Sequence, residues 1–371
     1  MTEQICVGLM SGTSLDGVDA SMLVMDGDTL VRFGPGTEIA YTREERAVLQ
    51  TAVDAALAWR FDGDEPGVFK QAEDILTQTH ARAVQAVCER AGLTTQALDL
   101  VGFHGQTVIH IPPEADAPGR TRQLGDGPAL AKALGCPVAY DFRSADVAAG
   151  GQGAPLAPAY HRALCRVSGL EAPIGILNIG GVANLTCVGS DGTLSAFDTG
   201  PGNGLLDAWV AEKTGGVMDK GGALSARGRV LEAGLQELMS HPHFLKSGPR
   251  SLDRWDFSLD PARNLTIEDG AATLAAFTAR TVAMGVDSLP ERPHRLIVCG
   301  GGRKNADLMA RIARACALPV LTAEQVGWRG DLIEAEAFAY LAACTRLDRP
   351  ISWPGTTGAP APLTGGRIAL P

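Results

Sequence analysis

Apolar residues along this chain form short runs typical of buried strands and longer stretches with helical spacing. The runs "ICVGLM" and "VDASMLVM" near the start are rich in β-branched and apolar residues and predict two strands. The stretches "TREERAVLQTAVDAALAW" and "GVFKQAEDILTQTHARAVQAVCERAG" carry apolar residues three and four apart and predict two helices. Further strands and helices follow up to a Gly/Pro-rich tail, "WPGTTGAPAPLTGGRIALP", for which an irregular structure is predicted. This alternation predicts an α/β fold.

The order of strands and turns near the start returns in the middle of the chain. The first set is "ICVGLM", "SGTSLDG", "VDASMLVM", "DGD" and "TLVRF", and the second is "IGILNI", "GG", "VANLTCV", "GSDG" and "TLSAF". Three-strand meanders are common, so chance similarity is one explanation. The other is a duplicated domain, each copy opening with a meander whose first turn faces a shared cleft. Two such glycine-rich turns would suit a polyphosphate.

Polar residues cluster where predicted strands end. The first turn, "SGTSLDG", has more glycines, hydroxyls and aspartates than a tight hairpin needs, although a wide turn with glycine at positive φ explains it equally well. Four more clusters follow strands: "FHGQT", "DFRSADVAAGGQGAPLAP", "FDTGPGNGLLD" and "CGGGRKN". Because ligands gather at the carboxyl ends of strands in open α/β sheets, these clusters predict a binding site.

Composition narrows the classes of function. The chain has 371 residues and a formal net charge of −10, with no basic stripe, so a nucleic-acid partner is not expected. No apolar stretch approaches the roughly 20 residues that a bilayer span needs, and the start lacks the features of a signal peptide. The eight cysteines are scattered singly without zinc spacing. These features predict a cytoplasmic, reduced protein without a membrane partner.

Seven stretches lie in the order of a known family and span nearly the whole chain: "GLMSGTSLDGVD", "GFHGQT", "DFRSADVAAGGQGAPLAP", "NIGGVANLT", "DTGPGNGLLDAW", "VCGGGRKN" and "GDLIEAEAFAYLA". With them the chain resembles the anhydro-N-acetylmuramic acid kinases, within the actin, sugar-kinase and heat-shock-chaperone ATPase superfamily. One loop departs from the family, "PRSLDRWDF" at residues 249–257, which replaces a Lys-Ser-Thr-Gly-Arg-Glu-like run. Arg254 and Phe257 persist there, whereas Leu252, Asp253 and Trp255 differ, which leaves the role of the loop open.

The resemblance implies two duplicated ribonuclease-H-like domains of the actin/hexokinase type flanking an interdomain cleft. We expect an N-terminal domain at 1–140, joined by the C-terminal segment 345–371, and a C-terminal domain at 141–344. ATP and Mg²⁺ would bind in the cleft. The enzyme would open 1,6-anhydro-N-acetylmuramic acid with water and phosphorylate O6, giving N-acetylmuramic acid 6-phosphate and ADP in peptidoglycan recycling. The family also suggests a homodimer.

Two carboxylates are the catalytic candidates. Water must attack the anomeric carbon while O6 leaves towards the γ-phosphate, and a general base that deprotonates this water contributes about 10²–10⁴-fold. Asp198 in "FDTGPGN" matches that role, although it could merely cap the following helix. Glu334 is the candidate for placing the water, since it shares a helical stripe with Phe338 while Glu336 points elsewhere. The alternative for Glu334 is a capping box with Asp331 as N-cap.

The glycine-rich turns are the candidates for binding ATP. The first hairpin would supply donors and a metal contact, the second hairpin would contact the phosphates, and the last glycine turn would let the backbone approach the adenosine. The assigned residues are Gly12, Thr13, Ser14, Asp16, Gly17 and Asp19 in the first hairpin, Gly180, Gly181 and Asn184 in the second, and Gly300, Gly301, Gly302 and Asn305 in the last turn. Asp16 is the candidate for holding Mg²⁺ through water, with Asp19 as the alternative, because Mg²⁺ keeps several of its waters.

Arg143 is the candidate for the lactyl carboxylate of the sugar, because its planar fork pairs bidentately with carboxylates. An arginine that ties down Asp141 or Asp146 is the alternative. Gln106 and Thr107 are candidates for hydrogen bonds to the sugar.

Two other functions remain open at this point: another sugar kinase of the same fold, and a switch-type ATPase. A second carboxylate beside the sugar would argue against a simple sugar kinase. Chaperone ATPases of the superfamily carry a further substrate-binding domain, for which the chain after Glu336 is too short.

Overall fold

The structure, a computed structural model, describes residues 3–113, 117–245, 252 and 256–371. Its strands are β1 (Gln4–Met10), β2 (Gly17–Asp26), β3 (Thr29–Ala40), β4 (Leu100–Phe103), β5 (Gln106–Ile111), β6 (Arg120–Leu124), β7 (Val138–Tyr140), β8 (Ile174–Ile179), β9 (Val182–Val188), β10 (Leu194–Pro201), β11 (Leu296–Cys299), β12 (Val320–Thr322) and β13 (Arg367–Ala369). Its α-helices are α1 (Arg43–Trp59), α2 (Val68–Ala91), α3 (Gly127–Leu134), α4 (Ser144–Ala148), α5 (Pro158–Val167), α6 (Gly204–Thr214), α7 (Glu232–Met239), α8 (Ile267–Asp287), α9 (Ala306–Cys316) and α10 (Ile333–Arg346). Within these ranges, every helix is too short or too polar to cross a membrane.

Several helices begin and end where their sequences predict. Thr42 forms a capping box with Glu45 at the start of α1, so that two backbone amides without helical partners are satisfied. Gly92 ends α2 in the left-handed conformation that glycine adopts without strain. Thr266 accepts a hydrogen bond from the backbone amide of Asp269 and caps α8, as predicted.

The chain folds into two compact units. Unit 1 comprises Met1–Val167 and Leu332–Pro371, and unit 2 comprises Ser168–Asp331. The sheet of unit 1 has the strand order β13-β7-β4-β1-β2-β3, and that of unit 2 has the order β10-β9-β8-β11-β12. In unit 1 a separate two-stranded sheet joins β5 and β6.

The two sheets share one topology. In unit 1, β1 pairs antiparallel with β2 and β2 with β3, while β4 runs parallel to β1 and β7 parallel to β4. In unit 2, β8, β9 and β10 form the same antiparallel meander, with β11 parallel to β8 and β12 parallel to β11. The repeated meander therefore reflects a duplicated domain, and the predicted α/β class with two ribonuclease-H-like domains is confirmed.

The boundaries between the units differ from those expected at 140/141 and 344/345. Helix α10 lies directly on the sheet of unit 1, because the neighbouring glycines Gly8 and Gly102 leave room for its backbone. A Cβ on Gly8 would lie 1.9 Å from the carbonyl oxygen of Ala335, and one on Gly102 would lie 2.0 Å from that of Phe338. Helix α5 packs against α10 and β3 and also belongs to unit 1. Arg143 and Glu334 thus lie in unit 1, and only Asp198 of these three lies in unit 2.

Unit 2 is inserted into unit 1 between Val167 and Leu332. Its two ends meet, since the indole Nε1 of Trp328 donates to the hydroxyl of Ser168 at 2.8 Å. The tail after α10, predicted to be irregular, is ordered in part: β13 pairs with β7, and Ser352 forms a β-bridge with Leu363. The eight cysteines, all within the described ranges, are buried thiols, and no disulfide joins them.

Candidate active site

The first hairpin turn of unit 1, residues 11–16, is largely exposed and is held by side chains. The hydroxyl of Ser14 and the backbone amide of Gly17 both donate to Oδ1 of Asp16, at 2.8 and 3.0 Å. Leu15 is buried and takes a left-handed φ of 52°, so it anchors the turn from below. The side chains of Thr13, Ser14 and Asp16 therefore lie at the surface, where a ligand can reach them, whereas Ser11 is buried.

The other predicted residues of this turn differ in the space around them. Thr13 is exposed, and a Cβ built on Gly12 would meet only the Ser14 hydroxyl, at 3.7 Å. A Cβ on Gly17 would lie 2.6 Å from a carbonyl oxygen of β3, so Gly17 is required by packing. Asp19 is half-buried on β2. Of these four residues, Gly12 and Thr13 are the ones that a ligand can approach.

Gln106 and Thr107 begin β5, next to the first turn. Gln106 is fully buried, and its Oε1 accepts a hydrogen bond from the Ser11 hydroxyl at 2.7 Å. The same Ser11 hydroxyl lies 2.8 Å from the hydroxyl of Tyr41. Thr107 is half-buried, with its hydroxyl 3.5 Å from Nε2 of Gln123. Gln106 therefore supports the first turn from within, whereas Thr107 lies nearer the surface.

Arg143, which precedes α4, is fixed between a histidine and a backbone carbonyl. Its Nε and Nη2 lie 3.2 and 3.0 Å from Nε2 of His104, and its Nη1 donates to the carbonyl of Gly153 at 2.7 Å. Burial, and then the charge of Arg143, hold the pKa of His104 well below its usual range, so the ring is neutral and Nε2 can accept. Burial also lowers the pKa of Arg143 to about 10, which leaves it charged at neutral pH.

The two aspartates considered as partners of Arg143 are hydrogen-bonded elsewhere. Asp141 forms an ion pair with Arg367 at 3.2 Å. Asp146 is buried and accepts from the backbone amide of Gly153 at 2.7 Å and from the hydroxyl of Thr357 at 2.6 Å. Asp146 thus holds the loop that contacts Arg143.

A polar cavity of about 240 Å³ opens in unit 1 beside His104. It lies between the β5–β6 hairpin and the residues that follow β7, and its lining includes Gly105, Gln123, Asp141 and Arg367. Both signs of charge line it, which suits a ligand with hydroxyl and amide groups better than an apolar one.

Glu334 is exposed in the first turn of α10 and lies on the same face as Phe338, one turn later. The ring of Phe338 packs 4.6 Å from that of His104, centroid to centroid, which places this face of α10 beside the Arg143–His104 pair. The charge of Glu334 acts to raise the pKa of Arg143. Glu336 is fully buried and accepts from the hydroxyl of Tyr160 at 2.7 Å, so it points elsewhere, as predicted.

The capping-box alternative for Glu334 is wrong. The N-cap of α10 is Leu332, and no side chain forms a capping hydrogen bond there. Asp331 instead accepts from Arg303 and Lys304 in unit 2, at 2.8 and 2.9 Å. Glu334 therefore does not cap α10, and its side chain lies at the surface.

Asp198 lies on β10, directly across from Asn184 on β9, at a β-bulge that separates it from Gly200. Asn184 Nδ2 donates to Oδ1 of Asp198, and the backbone amide of Leu252 donates to Oδ2, each at 2.8 Å. The bulge and the two donors give the carboxylate a single orientation. The helix that follows, α6, has Asn203 as its N-cap, so the alternative of Asp198 as a helix cap is wrong.

Asn184, assigned to phosphate from the sequence, is thus a direct neighbour of Asp198. The divergent loop reaches the same carboxylate through Leu252, while its residues 249–251 and 253–255 lie outside the described part of the chain. The backbone amide of Leu252 was not predicted, because a main-chain donor leaves no signal in a single sequence.

The second hairpin turn, Gly180–Gly181, is packed against the start of α6. The backbone amides of Asn203 and Gly202 donate to the carbonyls of Gly180 and Gly181, at 2.7 and 3.0 Å. A Cβ on Gly202 would lie 2.2 Å from the carbonyl oxygen of Gly180, and one on Gly204 would lie 2.7 Å from that of Gly181. Gly202 and Gly204 are therefore required by backbone-to-backbone contact, which brings the turn beside the N-terminus of an 11-residue helix.

Gly300, Gly301 and Gly302 reach the same edge of the sheet, because β11 is parallel to β8 and Cys299 pairs with Asn178. Gly300 has a φ of 73°, which favours glycine, and a Cβ there would lie 2.3 Å from Oδ1 of Asn178. The second hairpin turn, the N-terminus of α6 and this third glycine turn thus meet at one end of unit 2.

Asn305 and Arg303 complete that end of the unit. Asn305 is buried and caps α9 by accepting from the backbone amide of Leu308 at 2.9 Å. The buried guanidinium of Arg303 pairs with Glu324 and Asp331, both at 2.8 Å, and its hydrogen bond to Asp331 is the main cause of its raised pKa. Sequence reasoning missed Arg303, although the acidic residues of "AEQVGWRGD" offered partners for an arginine after three glycines.

Comparison with known proteins supports, over nearly the full chain, the family resemblance that the sequence motifs predict. The model of the family described as "Anhydro-N-acetylmuramic acid kinase" matches residues 4–370. The chain belongs to this family. An anhydro-N-acetylmuramic acid kinase of Phenylobacterium zucineum (strain HLK1) is 50% identical over 365 residues, covering 98% of this chain and 99% of the relative. One of Caulobacter vibrioides is 51% identical over 362 residues, covering 98% of both chains.

A solved structure shows a similar fold. Component A of the (R)-2-hydroxyglutaryl-CoA dehydratase of Acidaminococcus fermentans matches 92% of this chain and 98% of its own, with a TM-score of 0.50 and 10% identity. At that identity the likeness concerns the fold alone. The resemblance to the anhydro-N-acetylmuramic acid kinases that the motifs predict is thus confirmed by sequence relatives, and the α/β architecture by a distant structure.

Proposed function

We propose that this chain uses ATP to open 1,6-anhydro-N-acetylmuramic acid with water and to phosphorylate O6, giving N-acetylmuramic acid 6-phosphate and ADP. It would serve peptidoglycan recycling. Membership of the anhydro-N-acetylmuramic acid kinase family supports the kinase activity and the substrate. The observation that carries the mechanism is the carboxylate of Asp198, oriented by a donor on each oxygen.

Asp198 is the general base of this proposal. It accepts a proton from the water that attacks the anomeric carbon, while the bond from that carbon to O6 breaks and O6 takes the γ-phosphoryl group. Asn184 and the amide of Leu252 hold the carboxylate and keep its orientation as the proton arrives. Positioned bases of this kind contribute about 10²–10⁴-fold.

Glu334 places the water. Its exposure in the first turn of α10 and its electrostatic attraction to Arg143 support an ionised carboxylate that accepts a hydrogen bond from the water. A protonated acid here would compete for O6, which the phosphoryl group must trap. Paired carboxylates at a glycosidic carbon then act as base and orienting group instead of base and acid.

ATP binding is assigned to the glycine-rich turns. In unit 1 the exposed first turn would contact phosphate through Gly12, Thr13 and Ser14, with Gly17 and Asp19 supporting it. In unit 2 the second turn, Gly180 and Gly181, would contact phosphate next to the N-terminus of α6, whose first amides bond to the carbonyls of that turn. Gly300, Gly301 and Gly302 would lie against the adenosine, with Asn184 and Asn305 as supporting residues that hold Asp198 and α9.

Mg²⁺ fits the exposed first turn. Mg²⁺ in phosphoryl-transfer sites is bound by one or two carboxylates together with waters and phosphate oxygens, and Asp16 offers one such exposed carboxylate. Asp16 would hold the ion through water, with Asp19 as the alternative. When bound, the ion neutralises charge on the phosphates.

The sugar is assigned to unit 1. Arg143, charged and bonded to His104 of the cavity lining, would bind the lactyl carboxylate, and Thr107 would contact a hydroxyl or the acetamido group. Gln106 would act indirectly, since its buried amide holds Ser11 of the first turn.

We further propose a cytoplasmic homodimer without nucleic-acid or membrane partners. The acidic composition and the eight buried thiols support the setting, and the family resemblance supports the dimer. Sedimentation equilibrium tests the latter: a mass near twice 38.6 kDa supports a dimer, and a mass near 38.6 kDa contradicts it.

Product analysis in ¹⁸O-water tests the function. The chain is incubated with ATP, Mg²⁺ and the anhydro sugar, and the products are read by mass spectrometry. One ¹⁸O at C1 with phosphate on O6 is expected. A phosphorylated but unlabelled anhydro sugar would indicate a simple sugar kinase, and ADP formed without any sugar product would indicate a switch-type ATPase.

A further inference from the structure

The tail that follows α10, residues 347–371, packs against the rest of unit 1. Thr356 and Thr357 are both buried in it, and Arg367 of β13 pairs with Asp141. The guanidinium of Arg162 on α5 packs over the ring of Trp353, 4.7 Å from its centroid. The tail therefore lies over the segment 141–156, which contains Arg143.

The contact between the tail and this segment is centred on a buried carboxylate. Thr357 is fully buried, and its hydroxyl donates to Oδ2 of Asp146 at 2.6 Å, where Asp146 is only 2 % exposed. The backbone amide of Gln152 donates to the carbonyl of Thr357 at 2.6 Å. Thr357 thus contacts the segment through both its side chain and its backbone. A buried carboxylate depends strongly on such donors, because it has no water to replace them.

Asp146 passes this constraint to Arg143. Its Oδ1 accepts from the backbone amide of Gly153, and the carbonyl of Gly153 accepts from Nη1 of Arg143, both at 2.7 Å. A Cβ on Gly151 would lie 2.2 Å from Oδ1 of Asp146, so the loop closes around the carboxylate without side chains. Three consecutive hydrogen bonds therefore join Thr357 of the tail to the guanidinium of Arg143.

We infer that Thr357 is a positioning residue for the sugar: through Asp146 and Gly153 it fixes the guanidinium of Arg143 where the lactyl carboxylate binds. The inference rests on the proposed function, in which Arg143 binds that carboxylate. Arg143 is bonded on its other side to neutral His104, so loss of the Gly153 contact leaves the guanidinium free to turn about a single acceptor. The tail then contributes to affinity for the sugar and not to ATP binding.

The neighbouring threonine provides a matched control. Thr356 is as buried as Thr357, but its hydroxyl exchanges hydrogen bonds, among the described residues, with the backbone of Trp353 alone, within the tail itself. Thr356→Val and Thr357→Val each remove one buried hydroxyl from the same turn. Only Thr357→Val removes the donor to Asp146.

Steady-state kinetics with the anhydro sugar and with ATP varied in turn test the inference, together with thermal unfolding of each variant. Thr357→Val is expected to raise KM for the sugar about tenfold, the loss typical of a hydrogen bond to a charged group, with KM for ATP within twofold of wild type. Thr357→Ser keeps the donor and should restore the wild-type KM. Thr356→Val should lower the melting temperature without changing KM for the sugar.

A double-mutant cycle locates the effect. In an Arg143→Lys background, Thr357→Val should add little to KM, because the guanidinium that it positions is already absent. If Thr357→Val does not accumulate as folded protein, Thr357→Cys, with its weaker S–H donor, is expected to raise KM for the sugar by a smaller factor than ten.

The inference is overturned by an unchanged sugar KM in folded Thr357→Val or Thr357→Cys, by equal sugar KM shifts in Thr356→Val and Thr357→Val, or by full additivity with Arg143→Lys. The wild-type enzyme run in ¹⁸O-water alongside separates these outcomes from failure of the proposed function, since the labelled product does not depend on the tail variants.

Discussion

The two units share a strand order but close their first hairpins in opposite ways. In unit 1 the turn at residues 11–16 is exposed and is held by the side chains of Ser14 and Asp16. In unit 2 the turn Gly180–Gly181 is held by backbone groups at the start of α6. The distances leave no room for a Cβ on Gly202 or Gly204. The turn of unit 1 thus has hydroxyl and carboxylate groups at its surface, whereas the turn of unit 2 packs against glycines that leave no space for side chains.

The cross-strand neighbours differ in the same sense. In unit 2, Asn184 lies opposite Asp198 and donates to its carboxylate. In unit 1, Asp19 on β2 lies opposite Glu38 on β3, two acidic residues. Duplication of the backbone therefore left the side chains free to diverge, and the proposed base, Asp198, lies in the unit that supplies its carboxylate with donors.

Replacing Asp198 is expected to have the largest effect. Asp198→Asn removes the base, so turnover should fall at least about 10²-fold while the affinity for ATP changes little. Both oxygens accept hydrogen bonds, so the amide nitrogen must face a donor, and a loss of about 1–3 kcal/mol of stability is expected as well. Turnover is measured by ADP release and ATP affinity by calorimetry.

Asp191→Asn, an exposed change at the far end of the same hairpin, serves as the control and should keep full turnover. Near-normal turnover in Asp198→Asn would move the base to another residue, with Glu334 the first to test.

Glu334 and Glu336 form a second pair for comparison, two residues apart on α10. If Glu334 places the water, as proposed, Glu334→Gln should lower kcat about 10- to 100-fold, and the melting temperature should not change because the side chain is exposed. Glu336→Gln should instead lower the free energy of unfolding by about 1–3 kcal/mol with little change in kcat, because the buried carboxylate of Glu336 accepts a hydrogen bond from Tyr160. Equal effects of both changes on kcat would count against a specific role for Glu334.

The contrast between the two turns can be tested with alanine. Gly202→Ala places a Cβ against the carbonyl of Gly180 and should cost about 1–3 kcal/mol, because backbone atoms cannot move aside easily. Gly12→Ala meets only the Ser14 hydroxyl and should leave stability unchanged. Urea unfolding of both variants measures the difference, and equal losses would mean that the two turns are packed alike.

A smaller effect is expected from Asp207 on α6. Burial, and then the charge of Asp219, raise the pKa of Asp207 to about 6 from a usual value of 3.8. Since the folded state binds this proton more tightly than the unfolded chain, wild-type stability falls as the pH rises through the interval between these values, and stays at the lower level above it. The side chain in Asp207→Asn cannot ionise, so the free energy of unfolding of this variant should rise by roughly 1 kcal/mol relative to wild type over that interval. The value allows for solvent screening, because Asp207 is half-buried.

Urea unfolding of both proteins at intervals between pH 4 and pH 7 measures this gain. A difference that does not vary with pH would show that the Asp207 carboxyl titrates alike in the folded and unfolded chains.

The elements built from local signals were predictable from the sequence. Apolar runs located both meanders, and Thr42 and Thr266 marked the starts of α1 and α8. The unit boundaries were not predictable, because they depend on α10 lying over Gly8 and Gly102, residues far away in sequence. Glycines within strands give a pattern but not the identity of the backbone that will approach them.

The site shows the same limit. Asp198 and Glu334 stood out as carboxylates at the end of a strand and the start of a helix. Their surroundings did not stand out, because the amide of Leu252, the hydroxyl of Thr357 and the guanidinium of Arg303 act through partners that only folding brings near. The sequence was enough to assign a chemical role to single residues, whereas the groups that orient them could be identified only in the folded structure.

The insertion of unit 2 within unit 1 also sets an order of folding during synthesis. All the residues of unit 2 lie between Ser168 and Asp331, and the hydrogen bond from Trp328 to Ser168 joins its ends, so this unit is complete once that stretch has left the ribosome. Unit 1 must wait for α10, the last helix to be made, which covers Gly8 and Gly102, and for β13 after it. A nascent chain therefore contains the proposed base, Asp198, before it contains Glu334, and a ribosome stalled before α10 would carry a folded unit 2 and a unit 1 sheet without the helix that packs on Gly8 and Gly102.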